Sequence, residues 1–239
     1  MSRGKAERLV AERRAAGGTL EGVIFDQLQT RIVTLEYPPG HMIFENEIAA
    51  EFGVSRTPVR QAFFRLAMAD LLEVLPQRGA RVSYLSRDKV RESQEVREVL
   101  EVHAVAEAAR KWSASDPEGR LFDDEIDRLI AAQTRSVEAK DYTAFTRLDE
   151  EFHCAIMRLA GNTTLLDTVS AIRAHLNRIR YVELQVAHHD AAAIEHHRKI
   201  VEAIRANDPD RASHQMTAHL KMLEEFREEI FSKRDDMFV

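Results

Sequence analysis

Apolar residues recur every three to four positions over most of this chain, and the places where that rhythm breaks mark out its elements. The first amphipathic segment runs from about Leu20 to Leu35 and is ended by Pro38-Pro39-Gly40; the shorter Glu47-Ile48-Ala49-Ala50-Glu51-Phe52 follows. A third helix is predicted to begin close to Ser55. Gly53 suits a left-handed corner, Ser55 can cap the first free N–H groups, and Pro58 is tolerated only in a first turn. On this helix Val59, Phe63 and Leu66 form a buried stripe, while Arg56 and Arg60 project together from the opposite side. The rhythm then shortens. Leu72-Glu73-Val74-Leu75 and Ala80-Arg81-Val82-Ser83-Tyr84 are β-rich runs around Pro76-Gln77-Arg78-Gly79, which predicts a hairpin with a tight loop.

Around Leu85 to Asp88 helical periodicity returns and persists to the C-terminus. Helices are predicted at 88–113, 120–139, 141–160, 163–185, 190–206 and 208–232, with breaks at Ser115 to Gly119, Gly161-Asn162 and Asn207-Asp208-Pro209. No β-rich run separates these six helices, so the segment reads as an all-α bundle. Residues 1–18, ending in Gly17-Gly18, read as a flexible arm, residues 19–86 as one domain and 87–239 as a second, giving a mainly α protein.

Charge gives the first domain a purpose. Residues 1–86 hold 11 Lys+Arg against 10 Asp+Glu, whereas the remainder holds 23 against 30 of the totals 34 and 40. Between Ser55 and Arg81 five arginines (Arg56, Arg60, Arg65, Arg78 and Arg81) face only Asp70 and Glu73, a focused basic patch on an acidic chain. Two helices, a cationic third helix and a basic hairpin make a winged helix-turn-helix, with Arg78 and Arg81 able to reach phosphates or the minor groove. No stretch of about 18 apolar residues exists and the charged N-terminus lacks a signal core, so no membrane partner and a cytoplasmic protein are expected. The single cysteine, Cys154, reads as a small buried hydrophobe.

Candidate chemistry in the bundle lies in three histidines and one aspartate. Asp149 and His153 are spaced i, i+4 beside Phe145, Phe152 and Ile156. His197 completes the stripe Ile194, Val201, Ile204, and His219 joins Ala212, Met216, Leu223, Phe226 and Ile230; His196 and His214 fall outside these stripes. Such inward imidazoles either find hydrogen bonds in the core or ligate a cation. Three of them with a carboxylate suit a divalent metal ion, Zn²⁺ first, with Ni²⁺, Mn²⁺ or Fe²⁺ as alternatives.

The run Phe52-Gly53-Val54-Ser55-Arg56-Thr57-Pro58-Val59-Arg60, with Arg65-Leu66 and Gly79, resembles the winged helix-turn-helix of the GntR family of bacterial transcription regulators. The resemblance implies that Ser55, Arg56, Thr57 and Arg60 contact phosphates and bases of double-stranded operator DNA, and it places Gly79 at the wing tip. Asn46, Gln61 and Phe64 depart from the family pattern. Asp149-Glu150-Glu151-Phe152-His153, Gly161-Asn162, His197 with Ala203-Ile204, and His219-Leu220 are similar to the C-terminal FCD effector domain of the FadR-type branch. In that branch the matching Asp and three His hold a divalent metal, which implies that Asp149, His153, His197 and His219 do so here. Arg97 matches an arginine-containing motif at the start of that domain, which implies a second anchor for a small organic or sugar acid; the alternative is an Arg97–Glu101 pair on a solvated face. A homodimer that regulates transcription, not an enzyme, is expected, with coupling carried by the loop near Leu85 to Asp88. The alternatives are a metal-dependent enzyme, because Glu150-x-x-His153 is one copy of a dimetal spacing, and a pure metal sensor.

Overall fold

The computed structural model describes residues 19–76, 78–187 and 190–239, which leaves the N-terminal arm of residues 1–18 and Gln77 of the wing loop outside the described residues, as are the side chains of Leu223 and Phe226. Contacts divide the chain into two compact units: residues up to Ser86 together with Asp236–Val239, and Arg87–Asp235. Among the described residues no helix is long and apolar enough to cross a membrane.

The first unit contains helix α1 (Leu20–Val33), strand β1 (Met42–Ile43), helices α2 (Glu45–Phe52) and α3 (Arg56–Met68), and strands β2 (Leu72–Leu75) and β3 (Gly79–Val82). Ile24, Leu28 and Ile32 of α1, at i, i+4 and i+8, are fully buried with Val59, Ala62 and Leu66 of α3. Gly53 ends α2 in the left-handed region at φ 65°, which turns the chain into α3. Ser55 does stand at the N-cap of α3 with extended backbone, but its hydroxyl makes no capping hydrogen bond. The reason is Pro58. It occupies the third helical position and so removes one of the two N–H groups that such a side chain ordinarily accepts from.

The three strands are antiparallel in the order β1-β3-β2. Strand β1, too short to leave a sequence signal, pairs Met42 with Arg81 and Ile43 with Ala80. On the other side Glu73 lies opposite Arg81, and their side chains pair at 2.6 Å. Gly79 closes the hairpin opposite Leu75 at φ +89°, where an added Cβ would stand 2.6 Å from the Ile43 carbonyl oxygen. Its lack of a side chain is thus required by β1, and among the described residues of the loop Pro76 and Arg78 are exposed.

A further segment completes this unit. The Leu85 N–H donates to the Met237 carbonyl at 2.9 Å and the Val239 N–H donates to the Leu85 carbonyl at 3.0 Å, so the C-terminal residues pair in parallel with Leu85. Met237 and Leu85 are both 0 % exposed. The chain therefore passes between the units twice, after Ser86 and after Asp235, so the loop expected to carry the coupling is one of two connections.

The second unit comprises α4 (Arg87–Lys111), α5 (Pro117–Glu138), α6 (Tyr142–Ala160), α7 (Thr163–Ala187), α8 (Asp190–Arg205) and α9 (Pro209–Lys233), followed by a 3₁₀ turn (Asp235–Met237) that leads into the tail. Helix α5 starts within the expected break, because Pro117 occupies its first turn. The core joins Ala104, Val105 and Ala108 of α4, Phe122, Ile126 and Leu129 of α5, Phe152 and Ile156 of α6, Ile200 and Ile204 of α8, and Met216 and Leu220 of α9. Cys154 is half-buried and packs against this core instead of lying within it.

Replacing Met237 by Ala should remove packing worth about 2–5 kcal/mol from the first unit. Hydrogen-exchange mass spectrometry is then expected to show faster exchange across residues 79–86, while the Trp112 fluorescence transition of the bundle stays in place; unaltered exchange at Leu85 would show that the tail adds nothing to that unit.

Candidate functional site

Two groups of side chains stand out, one in each unit. In the first unit, Ser55, Arg56, Thr57, Arg60 and Arg78 are all exposed, whereas Gly79 is half-buried. A cleft of about 770 Å³ runs along α3 between Glu21, Arg56, Thr57, Arg60, Gln61, Phe64 and Arg65. A second cleft, of about 540 Å³, joins Arg56 and Arg60 to the wing at Val74, Pro76, Arg78 and Gly79. The interior side of α3 is apolar and its outer side cationic, the separation that the sequence pattern predicts. Phe64 is 65 % exposed and lines the first cleft beside the arginines.

The arginines are not solitary cations. Glu45, in the first turn of α2, accepts from Arg56 Nη2 at 2.8 Å and from Arg60 Nε at 3.1 Å. Their guanidiniums hold its carboxyl below the usual range, with Arg60 the largest contributor. Arg81, expected to reach phosphate, is engaged by Glu73 on the wing.

In the second unit the geometry converges. Asp149, His153, His197 and His219 are buried and each offers one ligand atom, all within 4.8 Å of one another. Helix α6 supplies the first two at i, i+4, α8 supplies His197 and α9 supplies His219. His196 is only partly buried and His214 is exposed, in line with their registers.

Neighbours set the ring orientations. The Gln133 amide donates to the Leu148 carbonyl at 3.1 Å, which turns its oxygen to His197 Nδ1 at 2.8 Å. A carbonyl oxygen there requires a proton on Nδ1, and Nε2 keeps its lone pair. His153 is arranged likewise: Nδ1 contacts the Glu101 carboxylate, while Nε2 lies 3.1 Å from His219 Nε2. His197 Nε2 and Asp149 Oδ1 approach to 3.4 Å, yet both are buried without a hydrogen-bond partner. Tetrahedral coordination at about 2.0–2.1 Å puts ligand atoms roughly 3.3 Å apart, so spacing, donor types and orphaned atoms all fit a divalent cation.

Electrostatics agrees with neutral rings. Burial pushes His153 down to about 3 against the opposing pull of Glu101. Burial also lowers His197 and His219, the latter with help from the other two imidazoles. For Asp149, burial alone would raise the carboxyl, but His197 and Arg180 outweigh it and hold it well below the usual range.

Arg97 is buried, and its Nε donates to Glu101 at 2.7 Å while Nη2 lies 3.4 Å from His153 Nε2. The i, i+4 pair with Glu101 exists, but in the interior rather than on a solvated face. Helix α7 adds residues that sequence reasoning passed over. Arg173, Asn177 and Arg180 share one inward face, with Arg173 Nε 3.3 Å from Glu101 and Arg180 Nη2 3.9 Å from Asp149. The Nη2 groups of Arg173 and Arg180 are buried and make no hydrogen bond. Polar residues recurring on the stripe that also holds Leu176 and Leu184 were the only sequence signal. Glu150, the acid of the dimetal spacing, instead accepts from Asn177 Nδ2 at 3.0 Å and is not among the converging four.

Family models agree with this division. The model described as bacterial regulatory proteins, gntR family, matches residues 20–82, and the FCD domain model matches residues 92–222. An HTH-type transcriptional regulator in an unstable DNA locus of Streptomyces ambofaciens is 32 % identical over 93 % of this chain and 91 % of its own length. The HTH-type transcriptional repressor RspR of Escherichia coli K12 is 28 % identical over 90 % and 92 % respectively. Among solved structures, E. coli McbR/YncC shares the fold at a TM-score of 0.78 and 19 % identity, covering 89 % of this chain and 99 % of that one.

The histidine cluster makes the metal-free bundle acid-sensitive. Unfolded histidines titrate near 6.5 but the folded ones at lower pH, so between about 6.5 and about 3 the unfolded chain binds more protons and stability falls as pH falls. Asp149 and Glu101, held low when folded, act in the same direction once pH drops below the ordinary carboxylate range. In chelator, the urea midpoint followed by Trp112 fluorescence should decline steadily from pH 7 to pH 4; a flat profile would show that the rings are not buried neutral.

Proposed function

The chain belongs to the GntR family of bacterial regulatory proteins with an FCD domain, a family of DNA-binding transcriptional regulators, and we propose that it is a homodimeric, metal-containing sensor of the FadR-type branch, tuned by a small organic or sugar acid. Ser55, Arg56, Thr57, Arg60 and Arg78, with the backbone at Gly79, form the operator-reading surface, and the protein works in the cytoplasm where that DNA lies. Asp149, His153, His197 and His219 hold the metal, for which Zn²⁺ best suits the mixed imidazole and carboxylate donors. When bound, such an ion supplies positive charge and an open position for a carboxylate.

The observation that carries the effector reading is the pair of buried, unbonded Nη2 groups of Arg173 and Arg180 beside the converging ligands. Buried guanidinium N–H groups without acceptors are costly, and an anion relieves that cost with charge-assisted bonds. Arg97, donating toward His153 from the α4 side, adds a further cation. A small organic or sugar acid suits this group of cations better than an apolar ligand. In a dimer, two winged units occupy two operator half-sites, and coupling of about 1–3 kcal/mol between effector and DNA changes operator affinity roughly 5- to 150-fold.

Three measurements test the proposal. His197→Ala should take metal content well below that of the wild type, and Gln133→Leu, which frees Nδ1, should weaken metal binding about 10- to 100-fold; full metal occupancy in His197→Ala, read by elemental analysis, would refute the ligand set. A thermal-shift screen of organic and sugar acids should raise stability only without chelator, since a ligand selective for the folded state stabilises it. On DNA, Arg60→Ala should lose roughly ten- to a hundred-fold in affinity for a duplex selected from a random pool by the wild-type protein; an unchanged titration would remove Arg60 from the reading surface.

A further inference from the structure

Among the described residues Glu45 is the one acidic side chain placed between the two arginines of the reading helix, and its carboxylate is saturated by them. Oε2 accepts from Arg56 Nε at 3.2 Å and Nη2 at 2.8 Å, while Arg60 places Nε 3.1 Å from Oε1 and Nη2 3.2 Å from Oε2. The carboxylate sits in the cleft between α2, α3 and the wing, and its side chain is 20 % exposed against 63 % for Arg56 and 67 % for Arg60. A negative charge at this spot weakens attraction for any polyanion. If the arginines served only to neutralise phosphates, it would be a defect.

The donor geometry gives it a use. A guanidinium has five N–H donors, of which each arginine gives two to Glu45, those on the Nε edge. Three remain, on Nη1 and the outer side of Nη2. That outer edge presents two parallel N–H groups, the pair that matches guanine O6 and N7 in the major groove. The opposite edge, which would otherwise grip a phosphate equally well, is already taken. Glu45 also fixes both long side chains against α2, which reduces the freedom lost when they meet a base.

We propose that Glu45 is a specificity-determining positioning residue of the DNA-reading surface, its carboxylate clamping the inner edges of Arg56 and Arg60 so that their outer edges read guanine in preference to phosphate. This rests on the operator-reading role given to α3. The clamp acts in two ways. It orients the forks toward bases, and it repels phosphates that approach the same cations without the right base between them.

The experiment uses the full-length chain and two duplexes, one selected by the wild-type protein from a random pool and a scrambled version of equal length, titrated across a range of salt concentrations. Glu45→Gln keeps the size of the side chain but removes its charge. It is expected to bind the scrambled duplex more tightly, to steepen that duplex's salt dependence by about one unit of slope for each arginine released to phosphate, and to lower the ratio of selected to scrambled affinity by about tenfold or more. Glu45→Asp, which retains the charge, should keep the shallow slope on scrambled DNA. Replacing guanines of the selected duplex by 7-deazaguanine, which lacks N7, should cost the wild type affinity and Glu45→Gln much less. An unchanged affinity ratio in Glu45→Gln, or a parallel loss on both duplexes, would overturn the proposal, as would a Glu45→Asp variant with the steep slope. Arg60→Ala separates the two readings: if it binds both duplexes like the wild type, the reading surface itself is misplaced, whereas lost binding beside an unaffected Glu45→Gln rejects Glu45 alone.

Discussion

Three imidazoles and a carboxylate removed from water destabilise a bundle unless other groups replace their hydration, and much of the second unit is arranged around that requirement. Helices α6, α8 and α9 bring the four side chains to one point. Helices α4 and α5 supply the residues that orient them: Glu101 against His153, and Gln133 between the Leu148 carbonyl and His197. Helix α7 supplies the cations that keep Asp149 and Glu101 ionised. Every helix of the bundle therefore contributes to one buried polar network. The atoms it leaves without a hydrogen bond include His197 Nε2, Asp149 Oδ1 and the Nη2 groups of Arg173 and Arg180. A bundle that needed only stability would fill this volume with leucines, because buried ion pairs rarely exceed good apolar packing in stability.

The reading unit obeys the opposite logic, since its charges remain in water. Arg56 and Arg60 are held by a salt bridge of small net stability, and the helix that carries them is secured instead by Val59, Phe63 and Leu66. The function proposed for α3 therefore rests on residues that can be exchanged without unfolding it. The wing is built the same way: Ala80 and Val82 are buried, whereas Glu73, Arg78 and Val74 are exposed.

Much of this was legible in the chain because it depends on local pattern. Gly53 and Pro58 locate the corner before α3 within a residue or two, and the register of apolar stripes separates His197 from His196 and His219 from His214. Ser55 misled on its capping bond because proline three residues on removes an expected donor. The remainder was illegible for a physical reason: it depends on partners distant in sequence. Strand β1 has two residues and exists only because β3 pairs with it. Gln133 and Arg173 look like ordinary solvated polar residues until α6 and α4 are packed against them. Met237-Phe238 carries no periodicity, and its pairing with Leu85 gives it a place.

That last pairing alters how the two halves of the molecule are joined. A chain that crosses once between domains leaves them linked by a tether, and a change in one half reaches the other only through the tether's end. Here the peptide leaves the reading unit after Ser86 and re-enters it after Asp235. Arg87 pairs with Asp235, so the two crossing points are held together by a salt bridge. The helix that re-enters is α9, which carries His219, and the helix that leaves is α4, which carries Arg97 and Glu101. Both crossings thus continue helices that contribute to the buried polar network, and both lead to the same residue, Leu85.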